Sequence, residues 1–202
     1  LAGFLNMKIT LAIDTSTART QFALLEGEKL LWQEIAEGAT THGDVLAKFG
    51  AIAGKSKIDQ VIVGMGPGPF TGLRTGIIFA KTFAFARAIP VQGICSLDAI
   101  AFGIKDPEFL VATDARRKEI YWARYIDGVR TGTPTVSSPT AIPTLSNLPM
   151  YGEGAFKYKL TTDQNHLYPD LTSFTYLNRV FNEVNEPMYL RHPDAVPTAE
   201  RA

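Results

Sequence analysis

Two aspartates 100 positions apart close matching apolar runs: Lys8 to Asp14 reads KITLAID, and Phe109 to Asp114 reads FLVATD. A carboxylate at a strand end beside a polar turn can hold a divalent cation, or it can simply end its strand and cap its own hairpin. A second segment with chemical content is Gly64 to Gly76, GMGPGPFTGLRTG. Its glycines supply positive φ and its prolines fix φ, so the loop is stiff and specific. A Gly-rich loop between a strand and a helix can cradle an anion on backbone N–H groups, or it can be a tight structural turn. It is neither a Walker A motif nor a G-x-G-x-x-G fingerprint. Thr71 is placed to cap the following helix. Arg74 falls in that helix's first turn, where the dipole disfavours a cation, so it needs an acidic or anionic neighbour in this chain or another.

Other reactive side chains are sparse. His42, His166 and His192 share no metal-ligand spacing, and there is no H-E-x-x-H pair. The sequence therefore predicts no metal site and no catalytic residue. Cys95 is the single cysteine, which excludes an intrachain disulfide and a cysteine-rich metal centre. It lies between Ile94 and Ser96 with no local cation to lower its pKa.

The elements that must position these groups form a repeat. Residues 8–14, 21–25 and 30–35 read as a β-meander, and 109–114 and 120–125 begin a second one. Asp14 matches Asp114, Phe22 matches Trp122 and Ala23 matches Ala123 without a gap. A repeat of about half the chain indicates a duplicated domain. After the first meander a helix is expected over 41–53, opened by Thr41 and Asp44 as a capping-box variant. A buried strand follows at 60–64, then the Gly-rich loop, a long helix to about residue 88, a strand at 90–94 and a helix at 96–103. Beyond residue 105 the pattern weakens. Residues 131–149 read as loop with a short strand, 148–151 as a strand, and 171–184 as a helix. Strands alternating with helices define an α/β class. The expected domains are 7–104 and a smaller, degenerate 105–202.

In the helix of residues 72–87, Gly72, Gly76, Ala80 and Ala84 recur every four residues, while Phe79, Phe83, Ile77, Ile78 and Phe85 spread over the remaining surface. One sheet cannot cover a helix that is apolar nearly all round. Either it is buried inside the monomer, or its small-residue stripe receives a helix of another subunit. The second reading predicts an interface of Val45, Leu46, Phe49, Phe70, Thr71, Gly72, Leu73, Arg74, Gly76, Ile77, Ala80, Phe83 and Ala84, occupied by a second copy when no other partner is present.

Composition narrows the function classes. The chain has 202 residues with 20 Lys+Arg against 20 Asp+Glu, a balance unlike that of a protein that grips nucleic acid unaided or binds membranes through basic clusters. A hydrophobic share of 46% supports a folded core. No apolar stretch reaches the roughly 18 residues of a membrane span. The single cysteine suits a reducing cytosol, so a cytoplasmic location is expected. Leu1 to Asn6 read as an upstream remnant, with Met7 as the natural start.

QVIVGMGPGPFTGLRTG, together with MKITLAIDTS near the start, resembles the bacterial TsaB (YeaZ) family, and Pro187 to Pro197 (PMYLRHPDAVP) resembles its closing Y-L-R-x-P-D-A. Pro69 stands where that family commonly has serine. The resemblance implies a duplicated actin-like (sugar kinase/Hsp70/actin, RNase H-like) fold. It also implies a scaffold role in making threonylcarbamoyladenosine on tRNA, beside the catalytic subunit TsaD and the ATPase TsaE, with tRNA met only through the complex. Actin-like ATPases hold phosphates on two D-x-G turns, and here Ser16 and Arg116 stand in place of the glycines. Asp14, Ser16, Thr17 and Asp114 are thus the expected nucleotide contacts of a weakened site; no cofactor is firmly implied, and ATP or ADP with Mg²⁺ is placed at the interface of the complex. An actin-fold ATPase or small-molecule kinase is the competing reading, and a metal-dependent peptidase is a weaker one.

Overall fold

The computed structural model describes residues 7–38, 42–142, 147–181 and 184–191. Thr41, His192 and the 193–197 part of the closing motif lie outside the described residues. The chain runs β1 (Ile9–Asp14), β2 (Arg19–Glu26), β3 (Lys29–Glu37), α1 (His42–Ala53), β4 (Gln60–Gly64), α2 (Phe70–Ala86), β5 (Val91–Ile94) and α3 (Ser96–Ala101). It continues with β6 (Glu108–Asp114), β7 (Ile120–Ile126), β8 (Val129–Ser137), β9 (Met150–Tyr151), α4 (Glu153–Lys157) and α5 (Phe174–Val180).

Two mixed sheets result, with orders β3-β2-β1-β4-β5 and β8-β7-β6-β9. In each, an antiparallel meander is extended by strands parallel to its first strand. This is the duplicated actin-like architecture. The register of the repeat differs from the gapless match. Ala23 pairs with Ala12, but Trp122 pairs with Ala112. The second hairpin is one residue shorter, so Trp122 is the counterpart of Ala23, not of Phe22.

Alternation along β1 assigns each residue a face. Leu11 and Ile13 join Phe22, Val61 and Val63 beneath α1 and α2. Ala12 faces the other way, with Ala23, Ile62 and Ile94, against Leu171, Phe174 and Leu177. Because both faces are covered, β1 and β4 read as continuous apolar runs. In the second sheet Phe109, Val111 and Tyr125 pack under α3, while Leu110, Ala112 and Ile120 pack with Ala155 of α4. α3 therefore lies between the two sheets, with Ala99 in one core and Leu97 and Ile100 in the other.

Several boundaries depart from the sequence reading. α2 starts at Phe70 with Pro69 as its N-cap, so Thr71 lies inside the first turn and its carbonyl accepts from Thr75 Oγ1 at 2.7 Å. Pro69 already has the fixed φ that a helix entry needs. The 131–149 segment opens with most of a nine-residue strand, β8, held by pairing with β7. Residues 171–173 form a 3₁₀ turn capped by Asp170, which shortens α5. α4 is unforeseen, since Gly152 and Gly154 suggest only a turn.

Candidate functional site

Asp14 ends β1 with no exposed surface. Its Oδ1 accepts from the Ser16 backbone N–H at 2.8 Å and from Ser16 Oγ at 2.7 Å. Its Oδ2 accepts from Ser96 Oγ at 2.7 Å, across 82 residues of sequence. Burial pushes the Asp14 carboxyl above its usual range, and the three hydrogen bonds act in the opposite direction. Gly64 is required here because a Cβ would collide with Asp14 Oδ2, and Gly68 because a Cβ would strike the Ser16 backbone. The loop after β4 thus closes over the first turn, and its Gly66 exchanges hydrogen bonds with Ser96. Ser16 and Thr17 are also buried. Asp14, Ser16 and Thr17, the expected nucleotide contacts of this turn, are therefore enclosed by the chain's own side chains and backbone.

The second turn is built differently. Asp114 Oδ2 accepts from Lys157 Nζ at 2.6 Å, and Oδ1 accepts from Tyr158 Oη and the Arg116 N–H, each at 3.1 Å. Its own N–H donates to Glu153 Oε1 at 2.9 Å. Burial raises the Glu153 carboxyl, opposed by that hydrogen bond. Asp14 and Asp114 share no hydrogen-bond partner, and among the described residues no three His, Cys, Asp or Glu side chains cluster as metal ligands. Beyond Asp114 the tip is unusual: Arg116, Arg117 and Lys118 have φ of 62°, 52° and 60°. The Glu119 N–H donates to the Arg116 carbonyl at 3.0 Å, closing a turn with two left-handed central residues. That conformation costs an L-residue roughly 1–2 kcal/mol, and Asn-Gly is the usual occupant.

The remaining candidates are structural. His42 opens α1, its Nδ1 2.6 Å from Thr20 Oγ1 and its Nε2 buried against Gly72 without a hydrogen-bond partner among the described residues. Burial lowers its pKa. Burial pushes the Cys95 thiol far up, away from nucleophile behaviour. Asp98 of α3 accepts from Tyr125 Oη at 2.7 Å and Arg130 Nε at 2.8 Å, tying α3 to β7 and β8.

α2 has two faces. Gly72, Leu73, Gly76, Ile77, Ala80 and Ala84 are buried within the chain, as are Leu46 and Phe49 of α1. The small-residue stripe receives this chain's own Thr15 and His42: Thr15 Oγ1 donates to the Gly72 carbonyl at 2.8 Å, and a Cβ on Gly76 would occupy Thr15's space. These eight residues of the predicted interface are thus packed within the chain itself, as the alternative reading of a helix buried in the monomer expects. Val45, Phe70 and Phe83 are half-buried, while Thr71 and Arg74 are exposed. The outward side adds Ile78 at 51% and Phe85 at 88% exposure, two residues absent from the predicted set. Their signal was available, since Arg74, Ile78 and Phe85 follow helical spacing opposite the glycines. A groove of about 420 Å³ is lined by Phe70, Thr71, Arg74, Thr75 and Ile78. Tyr189 of the closing motif packs on Phe70 with the rings tilted by 46° and their centroids 4.8 Å apart. Arg74 lies 5.8 Å over the Phe70 ring and has no acidic partner among the described residues. Ser96, Glu153, Lys157 and Tyr158 also escaped sequence reasoning, because their relation to the two aspartates is purely tertiary.

Comparison with known proteins agrees with this geometry. The family described as "TsaD: tRNA N6-adenosine threonylcarbamoyltransferase" matches residues 45–159. An uncharacterized protein of Mycobacterium tuberculosis is 38% identical over 204 residues, covering 94% of each chain. The tRNA threonylcarbamoyladenosine biosynthesis protein TsaB of Haemophilus influenzae is 37% identical over 127 residues, covering 57% of this chain and 53% of that one. YeaZ from Pseudomonas aeruginosa superposes with a TM-score of 0.66 at 25% identity, covering 84% of this chain and 90% of that one. The chain spans about half the length of the relatives named TsaB and 57% of a Mycobacterium leprae relative.

Proposed function

The chain belongs to the TsaD family through its TsaB (YeaZ)-like members, and on that premise we propose that it serves tRNA threonylcarbamoyladenosine biosynthesis as a non-catalytic subunit. In this reading the outer face of α2 docks on a TsaD-like catalytic subunit, and a TsaE-like ATPase joins the pair. The observation that carries it is the contrast between the two sides of α2. Its inner stripe is filled by this chain, yet Ile78, which lines the Phe70–Arg74 groove, and Phe85, further along the same helix, stand exposed. Exposed apolar residues grouped on one element mark an interaction surface. Arg74, without an acidic partner among the described residues, gives the docking subunit a charge to satisfy.

The non-catalytic part rests on the first turn. Asp14 is enclosed by Ser16, Ser96 and the Gly64–Gly68 backbone, so the chain alone offers no phosphate cradle there. ATP or ADP with Mg²⁺ is then a ligand of the assembled complex. The ATPase, kinase and peptidase readings gain no specific observation. Light-scattering mass of the chain, alone and with a TsaD-like subunit, with and without ATP, tests the proposal. A homodimer alone that exchanges into a heterodimer is expected. A monomer indifferent to the TsaD-like subunit overturns it, and ATP turnover by the chain alone that Asp14→Asn abolishes overturns the non-catalytic role.

A further inference from the structure

The two sheets end in four outer strands, β3 and β5 in the first and β8 and β9 in the second. An outer strand offers unpaired N–H and C=O groups to any other strand, and proteins blunt such edges with short strands, Pro, bulges or covering segments. Three of the four are blunted here. β5 has four residues, and its Gly93 carbonyl already accepts from the Val184 N–H at 2.9 Å. β9 has two residues. β8 carries Gly132 and Pro134, and its register against β7 is irregular.

β3 is different. It has nine residues, none of them Gly or Pro, and Leu30, Leu31 and Ile35 are 40%, 47% and 44% exposed. A bulge falls at Leu30–Leu31, because Leu24 pairs with Trp32 and Leu25 with Leu30. From Trp32 to Glu37 the ladder against β2 is regular. Trp32 and Ala36 pack on the core beneath α1, so Gln33, Ile35 and Glu37 lie on the opposite face. Among the described residues no strand pairs with the outer edge of this segment. An apolar side chain, Ile35, thus stands in the middle of a flat, open edge.

The segment is also complementary to itself. Two copies that pair antiparallel about a two-fold axis set one residue opposite its own copy. Glu34 in that place would bring two carboxylates face to face, which is destabilising. Gln33 would draw the bulged Leu31 into the ladder, opposite Ile35. Ile35 avoids both: it meets Ile35 of the second copy, while Gln33 meets Glu37 and Glu34 meets Ala36. The Glu37 carboxylate accepts from Arg19 Nε at 2.7 Å through Oε1 and can accept a further bond from a Gln33 amide. We propose that two copies of this chain pair along β3, antiparallel and two-fold at Ile35, joining their first sheets into one. The contact shares no residue with the outer face of α2, so it stands or falls apart from the subunit reading.

The test uses the full chain carrying Phe85→Asp and Ile78→Asp, which removes the α2 contact. Ile35→Cys is added, and the disulfide-linked dimer is followed under mild oxidation. Directly opposed residues of an antiparallel pair have Cα atoms about 4.5–5.5 Å apart, within disulfide reach. Cys95 is buried and does not compete. Ile52→Cys, at an exposed position of α1, measures random collision in the same background, and Gln33→Cys reports the other register. Ile35→Cys should cross-link at least about ten-fold faster than Ile52→Cys and faster than Gln33→Cys. Ile35→Lys, which sets two cations face to face, should weaken self-association in sedimentation by about ten-fold or more with an unchanged thermal melt. Equal cross-linking at positions 35 and 52 overturns the proposal, as does self-association that Ile35→Lys leaves unchanged. Faster cross-linking at position 33 than at position 35 overturns the two-fold at Ile35. Should Ile35→Lys fail to fold, the three cysteine rates decide the matter alone.

Discussion

Ser96 Oγ donates to Asp14 Oδ2 at 2.7 Å, joining the first residue of α3 to the last of β1. The same hydroxyl also accepts from the Gly66 N–H at 3.3 Å, so one serine links the strand end, the Gly-rich loop and the helix between the sheets. A carboxylate at a strand end, which the sequence leaves as either a cation ligand or a cap for its own turn, is here the centre of an internal hydrogen-bond network. Such buried networks contribute specificity only while every member is satisfied.

Ser96→Ala should therefore destabilise the fold by about 1–3 kcal/mol, the cost of leaving a buried acceptor without its donor. Gly64→Ala should cost more, because its Cβ would collide with Asp14 Oδ2 inside a packed sheet. Urea unfolding followed by circular dichroism gives both values. A Ser96→Ala midpoint equal to wild type would show that the Asp14 network adds nothing to stability.

The two faces of α2 predict opposite behaviour. Ala80→Arg, at a residue of the interface set expected from the sequence, should unfold the monomer rather than separate subunits, because Ala80 has no exposed surface. Phe85→Asp and Ile78→Asp should leave stability within about 0.5 kcal/mol, as exposed substitutions do. They should nevertheless weaken association with a TsaD-like subunit at least ten-fold. Sedimentation of each variant with that subunit, beside its thermal melt, separates the two effects. Full association by Phe85→Asp/Ile78→Asp would place the interface elsewhere.

The legible part of this molecule is the part written locally. Apolar runs closing at Asp14 and Asp114, the glycines of 64–68 and the helical spacing of 70–86 give the strands, the loop and the long helix nearly in place. Which face of α2 is inside is not local. A stripe of Gly and Ala permits close approach by any backbone, and the sequence does not say that Thr15 of the same chain fills it. The one-residue difference between the hairpins is similarly invisible, since alternating apolar residues match in either frame. Ser96 and Lys157 are reached across 82 and 43 residues, with no pattern to announce them.

Arg130 provides a test of how the two sheets are joined. Its guanidinium meets Asp98 of α3 at 2.8 Å, and Tyr125 Oη donates to the same oxygen at 2.7 Å. Arg130→Ala leaves a largely buried carboxylate without its cation, a loss of about 3 kcal/mol. The Tyr125 hydroxyl, whose pKa is raised chiefly by burial and then by Asp98, would remain a donor and limit the damage. Guanidinium unfolding should show the loss, and hydrogen exchange should rise first in α3 and β8. Exchange that rises uniformly over the whole chain would mean that this pair does not join α3 to the second sheet locally.

His42 sets a pH dependence with a definite sign. It is buried between Thr20 and Gly72, and burial lowers its pKa below the ordinary value of about 6.5. The unfolded chain binds the proton more readily than the folded one, so stability from this group is complete above about pH 6.5 and is lost as pH falls toward the lowered folded value. In the protonated ring both nitrogens are donors, and Nε2 has no acceptor among the described residues. Melting temperature should therefore drop between pH 6.5 and pH 5. His42→Asn, which keeps a polar contact to Thr20 but does not titrate, should flatten that drop while melting lower than wild type at pH 7.5. Parallel pH profiles for the two proteins would show that another group governs the acid limb.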